Sequence, residues 1–480
     1  MKLSKRLLAA LMALAATVAI TGCGSSNKED AAYKDKITVP STDAIDAIPE
    51  GAANTLQYLG VSDLNPSDSA KEKSVEMTLF NDKGGKVEYI KTETFNLSNK
   101  LSSLILADTP PDMISYGSGI MVYPCNIIKG VFQPVDEIVD FNSDIWADMK
   151  PIADQFAIAG KHYVAPATFG DTVSLMFYDK KVFQDEALAD PYELYQQGNW
   201  NWDTARAIMA EYVQGATGDE ERYGVWGWFA DHIFATTGST IIKYDEEKDE
   251  FVNNSKDPNL ERAANYLYNL EKDGLINPEG WLGNPKSTFE HNTLFCSLGR
   301  WAAVTNNAPQ EGDDWMCVPI PKDPNADAYY RALDITVPTN TLWVAGSTKK
   351  EAMKCWLECC KIANTNDEFK AANKQKFFEN APNWTEEMYQ MACEEVFSDK
   401  FTLIVDPGTG ISTVLSDDSA ATNDERKAIN QYMYLATTKH DYSTGAQYTW
   451  TQVREKYNPT INSELKKFNK TYKQFLKDNK

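Results

Sequence analysis

The chain has 480 residues, with 69 acidic against 47 basic side chains and a formal net charge of −22. This charge argues against nucleic acid and anionic lipid headgroups as partners, and it favours solubility. The length exceeds what one hydrophobic core usually serves, so two lobes are expected.

The N-terminus is typical of an export signal. Three basic residues within the first six precede an apolar run over residues 7–20, shorter than the about 20 residues that a membrane-spanning helix needs. The run ends in ITGC, residues 20–23, which resembles a bacterial lipobox. We therefore expect residues 1–22 to be removed and Cys23 to carry two or three acyl chains, enough for a stable anchor. The alternative is an ordinary signal peptide that happens to contain a cysteine.

A lipidated Cys23 predicts a protein on the extracellular face of the cell membrane, as in Gram-positive bacteria, with lipid as its only membrane contact. Residues 23–50 are rich in Ser, Asp, Ala and Lys and contain few large apolar side chains, a composition typical of a flexible tether. The folded body is therefore expected to begin near residue 51.

The first part of the folded body alternates between strand and helix patterns. In chain order these are NTLQYLG (54–60), SAKEKSVEMTLFNDKGG (69–85), KVEYIKT (86–92), leucines and one isoleucine at helical spacing (97–105), and PDMISYG (111–117). The order strand, helix, strand, helix, strand predicts a parallel sheet with helices on its faces, a three-layer α/β lobe. The segment SVEMTLF could itself be a strand, which would shift the register of the whole lobe.

Two later segments also have strand patterns. YGVWGWFADH predicts a strand that ends at Trp226 or Gly227, and WAAV (301–304) predicts another. Most of the 12 tryptophans are expected in the core. The core candidates are Trp200, Trp202, Trp301, Trp343 and Trp356.

The cysteines and histidines give little support to a metal or catalytic site. Cys355, Cys359 and Cys360 cluster without a CxxC pair or paired histidines, so they are expected to be small core residues. An odd number of cysteines after Cys23 makes a disulfide scaffold unexpected. The four histidines are scattered, and we interpret each as a structural or surface residue.

Six segments of the chain form an ordered set of motifs: LSSLILADTPPDMISYGSG, GKHYVAPATFGDTVSLMFYDKKVFQDEAL, GNWNWDTARAIMAEY, FCSLGRWAAVTNN, WMCVPIPKDP and ITVPTNTLWVAGSTKKEAMKCWLEC. This set resembles family 1 extracellular solute-binding proteins, the lipoprotein receptors of ABC importers related to maltose-binding protein. Each motif alone is weak, but together they cover most of the chain in the family's order. The sequence departs from the family pattern at Asp179, Asn201, Trp301 and Val304, which puts the transfer of a ligand from any one member in doubt.

The resemblance implies an α/β, two-lobed fold of the type II periplasmic-binding-protein kind, with a mixed or parallel sheet flanked by helices in each lobe. Hinge strands should cross between the lobes, and a ligand should bind in the cleft and stabilise the closed form. The implied crossings lie near 166–172, 334–338 and 406–410. The implied lobes are 51–168 with about 338–405, and 172–336 with about 411–480.

The resemblance further implies a non-enzymatic receptor, without cofactor and acting as a monomer, that delivers a solute to ABC transporter permease subunits. The family's commonest ligand is a sugar, and we expect an oligosaccharide. A sugar is held by aromatic stacking and by hydrogen bonds to carboxylates and amides.

Residues of these types follow the expected strands, at the ends where ligands bind in parallel sheets. Phe169 and Asp171 lie at an implied crossing, and Asp231 could instead cap the helix that follows it. The candidate ligand-binding residues are Tyr116, Trp228, Asp231, Phe169, Asp171, Asp63, Phe229 and Asn306.

Three alternatives stay open. A surface glycoside-active enzyme would use paired carboxylates, although the sequence has no GxSxG, HExxH or P-loop motif. The same fold could bind a non-sugar solute, but the segments expected around the cleft carry few of the Arg or Lys residues that an anion requires. A surface interaction lipoprotein without a transported ligand is the third.

Overall fold

The computed structural model describes residues 44–65, 74–93, 96–115, 122–167, 173–332, 341–412, 414–415, 433, 438 and 447–479. Its strands are β1 (Thr55–Gly60), β2 (Lys86–Lys91), β3 (Met113–Ser115), β4 (Ser174–Asp179), β5 (Tyr223–Gly227), β6 (Ile242–Asp245), β7 (Glu250–Asn253), β8 (Thr293–Gly299), β9 (Trp315–Pro319), β10 (Tyr329–Ala332), β11 (Thr341–Trp343) and β12 (Phe401–Ile404).

The α-helices within the described ranges are α1 (Val75–Asp82), α2 (Leu97–Leu106), α3 (Lys150–Gln155), α4 (Lys180–Asp185), α5 (Pro191–Gln196), α6 (Trp202–Gln214), α7 (Ala230–Ala235), α8 (Pro258–Lys272), α9 (Pro285–Glu290), α10 (Lys350–Thr365), α11 (Asp367–Asn380), α12 (Glu386–Cys393) and α13 (Trp450–Asp478). None of these described helices has the length and apolar character to cross a membrane.

The first lobe is built on a sheet with the strand order β11-β3-β1-β2. β1 runs parallel to β2 and β3, and β11 runs antiparallel to β3. The predicted order of strands and helices is confirmed. The possible strand over residues 74–80 is wrong, because Ser74 caps α1 by accepting a hydrogen bond from the Met77 N–H, and Met77, Leu79 and Phe80 are buried by the helix.

The second lobe is built on a mixed sheet with the order β5-β8-β4-β9. β5 is parallel to β8, whereas β4 is antiparallel to both β8 and β9. Every residue of β8 is buried, as expected for a central strand covered on both faces. The chain therefore has the α/β fold that the sequence predicts, with two four-stranded sheets flanked by helices.

Helix capping accounts for two departures from the family pattern. Asn201 caps α6: its side chain accepts from the N–H groups of Asp203 and Thr204, and the Thr204 hydroxyl accepts from the Asn201 N–H. Asp179 caps α4 by accepting from the N–H of Lys181 at 2.9 Å. Asn and Asp both favour this position, so these substitutions preserve the helix starts.

The segment 381–397 packs on the second sheet, although the sequence assigns it to the first lobe. The Trp384 indole N–H donates to the Ala303 carbonyl at 2.7 Å, and the Tyr195 hydroxyl donates to Glu395 at 2.7 Å. These contacts of the segment are therefore with residues around the second sheet, and the lobe boundary near residue 405 stays a prediction. By contrast, α10 packs on α1 in the first lobe, where Trp356 and Phe80 meet with ring centroids 5.3 Å apart.

The implied crossings are only partly described. Residues 168–172 and 333–340 lie outside the described ranges, while Pro407–Gly410 forms a single turn packed closely against the backbone of Tyr123. β10 and β12 form a two-stranded parallel ribbon next to these segments.

The cysteines of α10 lie in the core, as the sequence predicts. Cys355, Cys359 and Cys360 are all buried, and all seven described cysteines are free thiols. Burial raises the pKa of the Cys360 thiol well above its usual value, so this group stays protonated and unreactive.

Candidate ligand-binding site

Three large aromatic side chains are exposed together on the second lobe. Trp228, Trp281 and Trp301 are 51%, 58% and 40% exposed. Their ring centroids are 5.6 Å (Trp228 to Trp281), 5.7 Å (Trp228 to Trp301) and 6.4 Å (Trp281 to Trp301) apart, so each indole contacts both others. We call these three residues the tryptophan cluster. An exposed apolar group of this kind commonly marks a binding surface.

Two neighbouring parallel strands place two members of the cluster. Trp228 directly follows β5, and Trp301 lies in the short turn Arg300–Ala303 that follows β8. Since β5 and β8 are parallel, their carboxyl ends meet at one edge of the sheet. This is the edge at which ligands bind in such sheets, as the sequence argument assumes.

The backbone around Trp228 is fixed by the end of β8. Gly227 has a φ of +110°, and a Cβ at this position would lie 2.1 Å from the Ser297 carbonyl oxygen, so only glycine fits. The Trp228 N–H donates to that carbonyl at 2.7 Å, and the Ser297 hydroxyl donates to the Trp228 carbonyl at 3.0 Å. These contacts hold the Trp228 ring at the surface.

Trp281 lies on the loop between α8 and α9, and buried neighbours anchor that loop. The Trp226 ring is buried under Trp281, with centroids 5.4 Å apart, and its N–H donates to the Gly280 carbonyl at 3.1 Å. The buried Asn277 donates its backbone N–H to Val225 and its side-chain amide to the Thr293 hydroxyl. The loop therefore presents Trp281 from a fixed base.

Polar side chains lie in the same part of the chain. Asn306 is exposed in the turn Thr305–Asn307, and Asn307 accepts a hydrogen bond from Asn284, at the end of the Trp281 loop, at 3.4 Å. Asp231 is exposed in the first turn of α7. The cap position of that helix is Phe229, with no side-chain capping bond, so Asp231 does not cap the helix.

Asp63 and its surroundings lie at the corresponding end of the first sheet. Asp63 follows β1 and accepts from the backbone and side-chain N–H groups of Asn65. The Tyr58 hydroxyl is 2.9 Å from the Ser115 hydroxyl. Burial raises the pKa of Tyr58, the Ser115 hydrogen bond lowers it in part, and the Asp63 charge raises it further. Tyr58 is therefore a neutral hydrogen-bonding group near Asp63.

The structure corrects two sequence expectations. Phe229 lies in the core and is only 4% exposed, so its ring offers no face to a ligand. Trp301 is exposed rather than buried, because residues 300–303 form a tight helical turn after β8 instead of the predicted WAAV strand. Tyr116, Phe169, Asp171 and Cys23 lie outside the described residues.

Sequence reasoning missed Trp281 altogether. Its segment, NPEGWLGN, has no helix or strand pattern, and a ligand role could have been suspected only from a large aromatic residue between two glycines. Trp200, Trp202, Trp343 and Trp356 are buried as expected.

The described residues include no group of three or more His, Cys, Asp or Glu side chains placed to hold a metal ion. His162 is hydrogen-bonded through both ring nitrogens, to Asp136 at 2.7 Å and to Asp154 at 2.9 Å, with the Phe141 ring beside it. These contacts give His162 a structural role in the first lobe.

A comparison with protein-family models identifies one family. A family model described as bacterial extracellular solute-binding protein matches residues 78–355. A search of curated protein sequences gives no significant match.

Solved structures show similarity over nearly the whole fold. The sugar-binding protein MalE of Xanthomonas citri has 14% sequence identity and a TM-score of 0.60, covering 88% of this chain and 100% of its own. The galacto-N-biose/lacto-N-biose I-binding protein of the Bifidobacterium longum ABC transporter, in complex with lacto-N-biose, has 14% identity, a TM-score of 0.56 and coverage of 88% and 99%. UgpB of Mycobacterium tuberculosis, in complex with glycerophosphocholine, has 13% identity, a TM-score of 0.56 and coverage of 86% and 99%.

Proposed function

Because the chain belongs to the bacterial extracellular solute-binding protein family, we propose that it captures a neutral carbohydrate at the tryptophan cluster and delivers it to an ABC importer. The observation that carries the proposal is the cluster itself, three half-exposed indoles in mutual contact at the carboxyl ends of two parallel strands. Sugars offer apolar C–H faces that stack on such rings, while the hydroxyl groups bind polar side chains.

The charges around the cluster disfavour an anionic ligand. Glu279 and Asp231 are the exposed charged side chains closest in sequence to Trp281 and Trp228, and both are acidic. Arg300, beside Trp301, donates to the Cys393 sulfur at 3.1 Å and lies 5.7 Å from the Phe377 ring centre. An anionic solute would need converging basic side chains, and Arg300 is directed elsewhere.

The ligand expected for this cluster is an oligosaccharide, because three indoles offer more stacking surface than one sugar ring covers. The structural neighbours named above include a sugar-binding protein and a complex with lacto-N-biose, which supports a saccharide here. The protein acts as a monomeric, non-enzymatic receptor, held at the membrane by lipid on Cys23. Ligand contacts to both lobes stabilise the closed form, which the permease recognises.

A second candidate is a solute with a quaternary ammonium group. Clustered tryptophans bind such cations through their ring faces, and acidic residues occur beside this cluster. One structural neighbour is a complex with glycerophosphocholine. This candidate keeps the fold and the site but changes the solute.

A thermal-shift screen tests the proposal and separates these candidates. The mature chain carrying Cys23→Ser would be melted with mono- and oligosaccharides, and with glycerophosphocholine, polyamines, amino acids and sugar phosphates as controls. A ligand at a hundredfold excess over its Kd stabilises the folded state by about 2.7 kcal/mol, which raises the melting temperature of a large protein by several degrees. A shift with a saccharide, without its consumption, is the expected result. A shift confined to a control class contradicts the carbohydrate proposal, and turnover of the saccharide restores the enzyme alternative.

A further inference from the structure

One side of the C-terminal helix α13 carries a row of lysines. Lys466, Lys470, Lys473 and Lys477 follow one another at intervals of four, three and four residues, which places them on one face of a helix over about 16 Å. All four are exposed, and no acidic residue occurs from 465 to 477. We call these four residues the lysine strip.

Burial of the apolar face of α13 keeps the lysine strip on the solvent side of the helix. The helix buries apolar residues on the other side, namely Ile461, Leu465, Phe468, Tyr472 and Leu476. Asn469 binds both backbone groups of Phe251 in β7, at 3.0 and 2.8 Å, which ties the helix to the hairpin formed by β6 and β7. The helix therefore cannot turn its lysines inward.

Three members of the strip are free to meet a partner. Lys473 pairs with Glu250 on the hairpin, whereas Lys466, Lys470 and Lys477 make no ion pair or hydrogen bond with any residue in the described ranges. Lys467, outside the strip, pairs with Glu464. Three cations that have no partner among the described residues thus lie on the surface of an otherwise acidic protein, beside the Lys473–Glu250 pair.

We propose that the lysine strip binds the anionic phospholipid headgroups of the membrane to which the protein is tethered. The proposal rests on the lipid anchor in the proposed function. Basic clusters on amphipathic helices bind anionic lipid surfaces. The net charge of −22 does not prevent this contact, because charges beyond about 10 Å are screened at 0.1 M salt, whereas the strip acts at contact distance.

Because the protein is tethered to the membrane, a weak contact between the lysine strip and the lipid headgroups is sufficient. A chain attached at residue 23 keeps the folded body at a high effective concentration at the membrane, so the strip can be occupied without strong intrinsic affinity. Contact through α13 would fix which side of the two lobes faces the membrane, and hence the permease.

Vesicle flotation tests the strip without the lipid anchor. The mature chain carrying Cys23→Ser would be mixed at about 0.1 M salt with vesicles of phosphatidylglycerol and phosphatidylcholine, or of phosphatidylcholine alone. The triple variant Lys466→Glu, Lys470→Glu, Lys477→Glu leaves the Lys473–Glu250 pair intact. The control triple, Lys129→Glu, Lys181→Glu, Lys370→Glu, changes three scattered exposed lysines and gives the same net charge.

The expected result is flotation only with phosphatidylglycerol, reduced about a hundredfold in the strip variant and much less in the control. Binding to neutral vesicles, equal loss in both variants, or full binding by the strip variant overturns the proposal, as does the absence of any flotation. An unchanged saccharide-induced thermal shift in the strip variant separates failure of this proposal from failure of the proposed function.

Discussion

Trp281 is the member of the tryptophan cluster that can be removed with least damage to the fold. It is the most exposed of the three indoles and lies on a loop, whereas Trp228 and Trp301 directly follow buried strands. We expect Trp281→Ala to weaken saccharide binding about tenfold, since aromatic stacking contributes roughly 0.5–1.5 kcal/mol beyond its buried area. Isothermal titration calorimetry measures the change in Kd.

Leu106→Ala is the control for this prediction. Leu106 is 88% exposed at the end of α2 in the first lobe, so its loss also removes an exposed apolar side chain but not one of the cluster. The Kd of Leu106→Ala for the saccharide should equal that of the parent protein. Unchanged affinity in Trp281→Ala would show that the ligand does not bind at the cluster.

Gly227 controls where Trp228 lies. A methyl group at this position meets the Ser297 carbonyl at 2.1 Å, and the backbone has a positive φ that L residues rarely adopt. We expect Gly227→Ala to lower the free energy of unfolding by about 2–4 kcal/mol, because the backbone has to move where the end of β5 meets the buried strand β8. Chemical denaturation followed by tryptophan fluorescence measures this.

Gly312 provides the matched control for Gly227. Its φ is +94°, but a Cβ there would meet no atom within 4 Å. Gly312→Ala therefore tests the cost of backbone conformation alone, about 1 kcal/mol. If the two variants lose equal stability, the close approach to Ser297 is not what fixes residue 227.

Single residues were the hardest feature to predict from the sequence. The exposed position of Trp228 could be predicted, because this residue follows a strand whose end is recognisable in the sequence. Trp301 was assigned to the core because WAAV has the composition of a strand, yet the chain turns directly after β8. Trp281 has no local pattern, and its position depends on Trp226 and Asn277, which are distant in the sequence from one another.

At the scale of elements, α13 is attached to the second lobe by amide groups as well as by apolar burial. The Asn469 side chain accepts from the Phe251 N–H and donates to the Phe251 carbonyl, satisfying both backbone groups on one side of β7. We expect Asn469→Ala to destabilise the protein by about 1–3 kcal/mol, because these backbone groups lose their partners. Differential scanning calorimetry should show a melting temperature lower by several degrees.

Thr471→Ala, two residues along the same helix, is the control for Asn469. Thr471 is exposed, and its replacement changes helix propensity in the same favourable direction. Its melting temperature should be equal to or slightly above that of the parent protein. If Asn469→Ala and Thr471→Ala have the same melting temperature, water replaces the Asn469 amide with no loss in the free energy of unfolding.

Local elements were predictable where caps and periodicity agree. β1 to β3 with α1 and α2 match the predicted order, because Ser74 caps one helix and turn residues separate the strands. The packing of 381–397 on the second sheet could not be predicted, because it depends on hydrogen bonds between residues about 80 or more apart, such as that from Trp384 to Ala303.

At the scale of the whole molecule, the sequence predicts the fold class and the family, but it does not show which surface residues lie together. The ordered motifs lead to the family that the match over residues 78–355 shows. The net charge, by contrast, argues against anionic lipid as a partner, but a total charge contains no information on the row of lysines along α13. The function of a surface depends on which residues share a face, and only the folded structure shows which residues these are.

The proposed lipid anchor makes attachment to the membrane depend on Cys23. Two or three acyl chains hold a protein stably, whereas the lysine strip alone is weakened by physiological salt. We therefore expect Cys23→Ala to move nearly all of the protein from the membrane fraction into the medium. Immunoblotting of cell fractions and mass spectrometry of the N-terminal peptide measure both location and acylation.

Ser25→Ala is the control, since it alters the same segment and keeps the lipobox cysteine. This variant should stay in the membrane fraction with an acylated N-terminus at residue 23. The informative contrary result is a Cys23→Ala protein that has lost residues 1–22 and still sediments with the membrane. Retention of that species would mean that contacts of the folded body, rather than lipid, hold the receptor beside its permease.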